Sequence, residues 1–397
     1  MRKLIITTAM GILTGLASES QAQSYLSKDS WSFSKDSTAI SSRIDLKEED
    51  FDLPARTFES EVSFLTRAGR MQDENIKANT ATAVVGTSLT WNVTRWLKTD
   101  LVADYLFVSG HSQAIYGSEG SPGSALLLGE ASASIMAGEV FQFTAGIIDT
   151  QFNPILSAYA GDTTAGFRET VNLKSGAFQA TLHAFQAIPG QSGASNRLID
   201  DNNEAFLSVN NLLLSYGEKN KIQASYTKFD FYNITSTSAN ESRYMGNSFF
   251  GDGTGANLFF QYKFRGQEAA LATSLNFRLD DKLTWKGSMI ENSKAPSKRN
   301  LGWMSSLSYE YNFSSYQIRP ALLRYRFEPD IIPAAYSSAS LGFLNRDGYS
   351  GELRGKFKRY NLDIFAKYMD AKEVEPRLTQ SDRVTYSIGM EVTHEIL

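Results

Sequence analysis

"SLSYEYNFSSYQIRPALLRYRFE", residues 306–328, sets an aromatic or aliphatic side chain at nearly every second position on either side of a short polar break. Successive side chains of a strand leave opposite faces, so Leu307, Tyr309, Tyr311 and Phe313 share one face and Ser308, Glu310 and Asn312 the other. The stretch reads as a hairpin with one apolar face. Whatever covers that face decides the fold.

No helix is available to cover it. From Arg56 onward the chain repeats one unit, about ten residues of alternating character and then a turn. Segments 57–67 (TFESEVSFLTR), 82–94 (TAVVGTSLTWNVT), 139–148 (EVFQFTAGII), 282–290 (KLTWKGSMI), 348–358 (GYSGELRGKFK), 360–369 (YNLDIFAKYM) and 384–396 (VTYSIGMEVTHEI) carry it most clearly. The connections alternate between tight breaks, as at Asn312–Ser315 and Lys358–Asn361, and long polar stretches such as 110–124, 150–163, 189–203, 233–254 and 328–346. An up-and-down sheet with short turns at one end and long loops at the other accounts for this sorting. A soluble sandwich has no reason to sort its loops.

Strands of about ten residues, apolar on one face and polar on the other, are the pattern of a transmembrane antiparallel β-barrel. Lipid then covers the apolar face, and the sheet must close because no backbone group can be left unpaired in hydrocarbon. Trp91, Trp96, Tyr105, Phe107, Phe141, Tyr216, Phe229, Trp285, Trp303, Tyr316, Tyr349, Tyr360 and Tyr368 fall near strand ends, where amphipathic rings suit the membrane interface. The expected number of strands is about sixteen, with eighteen as the alternative. The ambiguity lies in 255–281, whose apolar phase is even at Leu258, Phe260, Tyr262 and Phe264 but odd at Leu271, Leu275, Phe277 and Leu279. Such a flip implies a bulge or a turn at Gly266, and a turn would make 242–250 a further strand.

The 397-residue chain has no cysteine, which removes thiolate chemistry and fits an oxidising compartment. At the N-terminus, Arg2 and Lys3 precede an apolar run from Leu4 to Leu16 and a Ser20-Gln21-Ala22 cleavage pattern, so residues 1–22 read as a signal peptide. Residues 23–55 form a separate N-terminal segment, a periplasmic tail or a small plug, ahead of a barrel at 56–397. These features place the expected barrel in a bacterial outer membrane, with its lipid as a partner.

A barrel of about sixteen strands leaves an aqueous channel rather than a filled core. With the aromatic phase outward, Arg319, Arg324, Arg326, Arg354, Lys356 and Lys367 point inward together with Glu310, Glu352 and Asp363, as do Glu391 and, on early strands, Glu59, Glu61, Asp104 and Glu130. Clustered cations in a wet lumen favour anions; equally, such charges can pair across strands and merely keep the lumen hydrated. The expected activity is passive diffusion of small hydrophilic solutes and ions. A solute-selective, anion-preferring channel and a structural or adhesive barrel are the alternatives.

The segment "GEVFQFTAGIIDTQFNPILSAYAGDTT", 138–164, resembles the fifth strand and following loop of the Gram-negative general porins: Gly138 opens the strand, and Gly146, Asp149, Thr150 and Phe152 stand at its exit. That resemblance implies a homotrimer and makes 150–163 a constriction loop that carries Phe152, with Asp149 and Asp162 facing the basic wall. Two departures weaken an eyelet field: Ile147 stands where the family carries arginine, and the loop is poor in acid. The chain also ends in Leu397 where the family commonly ends in phenylalanine, though Tyr386, Ile388, Met390, Val392 and Ile396 keep the alternation. Flat outward positions Ala131, Ala133, Ala137 and Ala145 offer a face on which barrels could pack.

An enzyme is not expected. The histidines, His111, His183 and His394, are scattered, and no nucleophile–base pair or metal-ligand spacing joins them. No cofactor, metal or nucleic-acid partner is called for.

Overall fold

The computed structural model describes residues 58–72, 76–94, 96–114, 123–149, 155, 163–188, 205–217, 222–234, 236–242, 245–251, 253, 258–276, 281–337, 341, 343–376 and 380–395. The segments 1–22 and 23–55 lie outside them, as do Phe152 and Asp162.

In chain order the strands are β1 (Glu59–Gln72), β2 (Ile76–Thr94), β3 (Leu97–Ala114), β4 (Gly123–Ala137), β5 (Phe141–Asp149), β6 (Thr163–Ser175), β7 (Phe178–Ile188), β8 (Phe206–Tyr216) and β9 (Ile222–Tyr232), then β10 (Phe249–Gly251) and β11 (Leu258–Phe260). The series continues with β12 (Phe264–Asn276), β13 (Lys282–Asn292), β14 (Leu301–Asn312), β15 (Tyr316–Phe327), β16 (Arg346–Phe357), β17 (Leu362–Glu373) and β18 (Arg383–Glu395). All but β10 and β11 join one closed antiparallel barrel of sixteen strands, each paired with its sequence neighbour, and β1 closes it against β18. The sixteen-strand expectation holds. The conflict over 255–281 resolves between β11 and β12: β10 and β11 pair only with each other, Phe249 opposite Phe260, inside the connection from β9 to β12. The alternative of eighteen barrel strands is therefore overturned.

The opening hairpin is β14–β15, closed by Phe313 N–H donating to Tyr316 O at 2.9 Å with the two rings stacked 4.4 Å apart. Its apolar face is the outer one: Leu307, Tyr311, Phe313 and Leu322 are exposed, Leu322 to 68%. Around the barrel, exposed apolar residues recur at every second position, as in Tyr386, Ile388 and Met390 on β18. Water would not tolerate so extensive an apolar band, whereas hydrocarbon favours it. Aromatics rim the band at the short-turn end (Trp91, Trp96, Phe141, Phe178, Tyr216, Tyr316, Phe357, Tyr360) and toward the loop end (Tyr105, Phe107, Tyr232, Tyr349). On β13 the Trp285 ring lies flat over Gly287, where an added Cβ would stand 2.8 Å from the ring, and its Nε1 donates to Ser305 Oγ at 3.0 Å. Phe229 departs from the girdle reading: it is 2% exposed and faces the interior.

That interior is not uniformly wet. Toward the loop ends of β7–β9 and β12–β15, the inward residues are apolar and buried: Phe185, Leu207, Val209, Phe229, Phe231, Phe264, Ile290, Met304, Tyr325 and Phe327. Loop residues cover them. Ile331, Ile332, Tyr336, Leu341, Phe343 and Leu344, from the connection between β15 and β16, join the same cluster, as do Met245 and Ile155. Phe231 stacks on Tyr336 at 5.3 Å, and a Cβ on inward Gly302 would meet Ile331 at 2.6 Å. The barrel thus carries a dry, in-folded plug at one end of one side.

Candidate functional site

The plug is held by buried polar side chains, since its irregular backbone must find partners. Asn247 accepts from Ala334 N at 2.6 Å and donates to Pro329 O at 2.7 Å and to Ile332 O at 3.0 Å. The Asp330 carboxylate accepts from Ser248 N (2.7 Å) and Ser248 Oγ (2.6 Å), while Asn292 Nδ2 donates to Asp330 O at 2.7 Å. Glu268, inward on β12, accepts from Ile155 N at 3.2 Å and from Ser288 Oγ at 2.6 Å. The connection after β5 therefore touches the wall at Ile155, and described residues of 328–345 together with 245–248 fold in beside it. Asp149 ends β5 opposite Thr163.

Away from the plug, the inner wall of β15–β18 and β1 is charged. Strand pairing places inward residues side by side: Arg319 opposite Arg354, Lys356 opposite Asp363, Glu352 opposite Lys367, and Asp363 opposite Glu391. Glu310, on the same wall, lies opposite Lys282 and accepts from Asn312 Nδ2 at 2.8 Å. Arg354 is the centre of the set. Its Nε reaches Glu352 Oε1 at 3.4 Å, its Nη1 lies 4.0 Å from Glu391 Oε2, and its guanidinium sits 5.3 Å from the centroid of the Phe365 ring. Phe365 in turn packs on Gly389, where an added Cβ would fall within 2.7 Å of two of its ring carbons. Ring and glycine thus form a floor that fixes the guanidinium by a cation–π contact. Two arginines on adjacent strands repel, and the neighbouring carboxylates offset that repulsion. This wall presents alternating cations and anions along a polar surface; it contains no nucleophile–base pair.

Two expected members of the wall are misplaced. Arg324 and Arg326 lie on the outer face: in strand register they stand opposite Tyr349 and Asp347 of β16 and opposite Ser305 and Trp303 of β14, in line with lipid-facing Leu322. The apolar phase of β15 changes face near Pro320 without a bulge. Pairing with β16 runs unbroken from Tyr316–Phe357 to Phe327–Arg346, and pairing with β14 lapses beside Pro320, which has no N–H to donate, then resumes in the same register. What changes at Pro320 is which face is apolar. Beyond it the interior is dry, so Leu323, Tyr325 and Phe327 turn to the plug and the arginines face out.

On the early strands, Asp104 and Glu130 are inward and buried, with Ser132 Oγ donating to Glu130 at 2.9 Å. The sequence reading missed Asp100, which binds Lys98 at 3.0 Å and accepts from Thr90 Oγ1 at 2.7 Å, and missed inward Arg67 on β1, opposite Gly389. Alternation with Leu65 and Gly69 would have located Arg67. Among the described residues no group of three or more His, Cys, Asp or Glu could hold a metal ion.

No family model matches the chain, and no curated protein matches it. Among solved structures it is similar to Pseudomonas putida OprB, at 13% identity with a TM-score of 0.54 over 85% of this chain and 94% of that one in the high-pH form. It is similar also to Salmonella typhi OmpF in complex with daunomycin, at 10% identity with a TM-score of 0.50 over 85% and 97% of the two chains. At such identity the likeness speaks to architecture alone, and the chain has the closed sixteen-stranded β-barrel fold of the Gram-negative outer-membrane porins.

Proposed function

We propose that the chain is an outer-membrane channel through which small hydrophilic solutes and ions diffuse down their gradients, without covalent chemistry. One observation carries the reading: a closed sixteen-stranded barrel wears a continuous apolar belt outside while its inner wall on β15–β18 and β1 is charged. A filled barrel would bury an apolar core on every strand, whereas here the dry packing is confined to the plug. Arg319, Arg354, Lys356 and Lys367, with Glu310, Glu352 and Asp363, line the path in this reading.

A more selective, anion-preferring channel is favoured by the Arg354–Phe365–Gly389 stack, because a fixed guanidinium selects more sharply than a mobile one. Homotrimer formation through the β4–β5 face, at Ala131, Ala133, Ala137 and Ala145, belongs to the same proposal, as does constriction by 150–163. The test is single-channel conductance of the folded protein in a planar bilayer, with the reversal potential under a KCl gradient. Discrete ohmic steps support an open channel, and the sign of the potential reports whether the cations dominate. Silence from protein verified as folded would refute the diffusion channel and leave a structural barrel.

A further inference from the structure

The outward arginines have no place in the channel, and they crown a groove. On the outer face, Arg326 of β15, Asp347 of β16 and Lys372 of β17 stand side by side, with Arg324, Tyr349 and Asp370 in the row below. Asp347 binds both arginines, Arg324 Nη2 on Oδ1 and Arg326 Nη1 on Oδ2 at 3.4 Å. Asp370 accepts from Tyr349 Oη at 3.1 Å. Asp347 alone thus holds two arginines, one positive charge in surplus of it, and Lys372 stands beside it in the row. The arginine side chains remain 48% and 42% exposed, and the ring of Trp303, opposite Arg326 in register, lies 5.7 Å from the Arg324 guanidinium.

Beneath this cluster the outer surface is concave. A groove of ≈ 930 Å³, almost wholly apolar, runs across β13–β18 and β1. Its floor is small (Pro320, Gly351, Ala366, Ala68) and its walls are Leu322, Leu353, Tyr368, Tyr386 and Ile388. A Cβ added at Gly351 would meet only Leu322, at 3.7 Å. The two features are contiguous: Arg324 and Leu322 are successive outward residues of β15, and Tyr349 and Gly351 of β16.

We propose that this face holds a phosphate-bearing lipid of the loop-side leaflet, its phosphate on Arg326, Lys372 and Arg324 and an acyl chain in the groove over Gly351 and Ala366. Both halves of the fit are needed: surplus cations at the level of the headgroups attract phosphate, and the groove lies where chains begin. A second copy of the barrel is disfavoured, because the cations on β15–β17 lie at least five strands from the β4–β5 face assigned above to self-association and place charge at the rim of the groove. The inference rests on residence in the membrane but not on conduction.

The test is native mass spectrometry of the detergent-folded full-length protein with three probes: a diacyl phosphatidic acid, the matching diacylglycerol and inorganic phosphate. Phosphatidic acid should be retained, the other two should not, and either Arg326→Gln/Lys372→Gln or Gly351→Leu/Ala366→Leu should reduce retention on the order of tenfold. Both double variants should keep the native single-channel conductance, which separates this inference from the channel reading and verifies folding. Equal retention of diacylglycerol, equal retention of inorganic phosphate, or retention unchanged in the variants would each overturn the site. So would a groove-filling variant that changes the oligomeric state without changing lipid retention.

Discussion

Replacing Asn247 with alanine should open the loop end of the barrel while leaving the barrel intact. The side chain is 1% exposed and makes three hydrogen bonds, to Ala334 N, Pro329 O and Ile332 O, that tie the 245–248 stretch to the β15–β16 connection. Truncation strands three buried backbone groups at about 1–3 kcal/mol each. Even the lower end, ~3 kcal/mol in all, multiplies the undocked population of the plug about a hundredfold. The sixteen-strand ladder does not use Asn247, so the variant should keep the heat-modifiable mobility of a folded barrel. In planar bilayers its unitary conductance or its open-channel noise should rise, and limited proteolysis should cut faster within 331–337. Asn210→Ala, exposed on the outer face of β8, serves as the control. If Asn247→Ala matches the native protein in conductance, noise and cleavage, the plug is not held as described and the argument from buried polar partners fails.

Other expectations follow the same geometry. Glu268→Ala removes the carboxylate that accepts from Ile155 N and Ser288 Oγ, and cleavage beside Ile155 should accelerate; an unchanged rate would mean this contact does not hold the segment. Arg354→Ala should shift the chloride-to-potassium permeability ratio toward the cation by roughly twofold to fivefold, the effect of removing one wall cation that Glu352 and Glu391 partly offset, worth ~0.5–1 kcal/mol, measured from the reversal potential. The pair Arg324→Gln/Arg326→Gln should leave that potential where it was, since both side chains face outward; a shift would return them to the lumen. Leu322→Arg, at a position 68% exposed within the apolar belt, should cost about 2–4 kcal/mol of folding free energy in lipid vesicles, read by denaturant titration, and a neutral effect would move the membrane away from this level.

The barrel was legible wherever one face meets lipid and the other meets water. Leu307, Tyr309 and Tyr311 announce their strand because the two environments differ, and the same contrast fixes Ile388 and Met390. Legibility failed where the inside is also apolar. At Tyr325 and Phe327, at Phe229 and Phe231, and at Phe264, greasy side chains face the plug, so assigning the apolar phase outward inverts the strand and sends Arg324 and Arg326 inward. The break in 255–281 has the same origin, since Phe264 faces in and Leu271 and Leu275 face out on one unbroken strand. Single-residue alternation reports a difference between faces; it does not report which face is which. The charged wall was readable on β16 and β17, where Glu352, Arg354, Asp363 and Lys367 oppose lipid-facing Leu353 and Ile364. The network around Asn247 and Asp330 was not, because it joins positions far apart in sequence through loops without period.

Closure of the barrel by β1 on β18 makes Glu61 the partner of Glu395 and Val62 the partner of His394. The seam is thus stitched from the two ends of the barrel sequence, and it can form only when the last strand has arrived. Until then the growing sheet has two open edges, each a template for wrong pairing, and pairing the most distant residues is the slowest kind of contact to find. Membrane insertion of this chain must therefore shield both edges to the end of synthesis. The same adjacency allows the order of synthesis to be rewritten: a circular permutant cut in the Phe313–Ser315 turn, with a short linker from Glu395 to Glu59, would keep every strand pair while making the β14–β15 junction the seam.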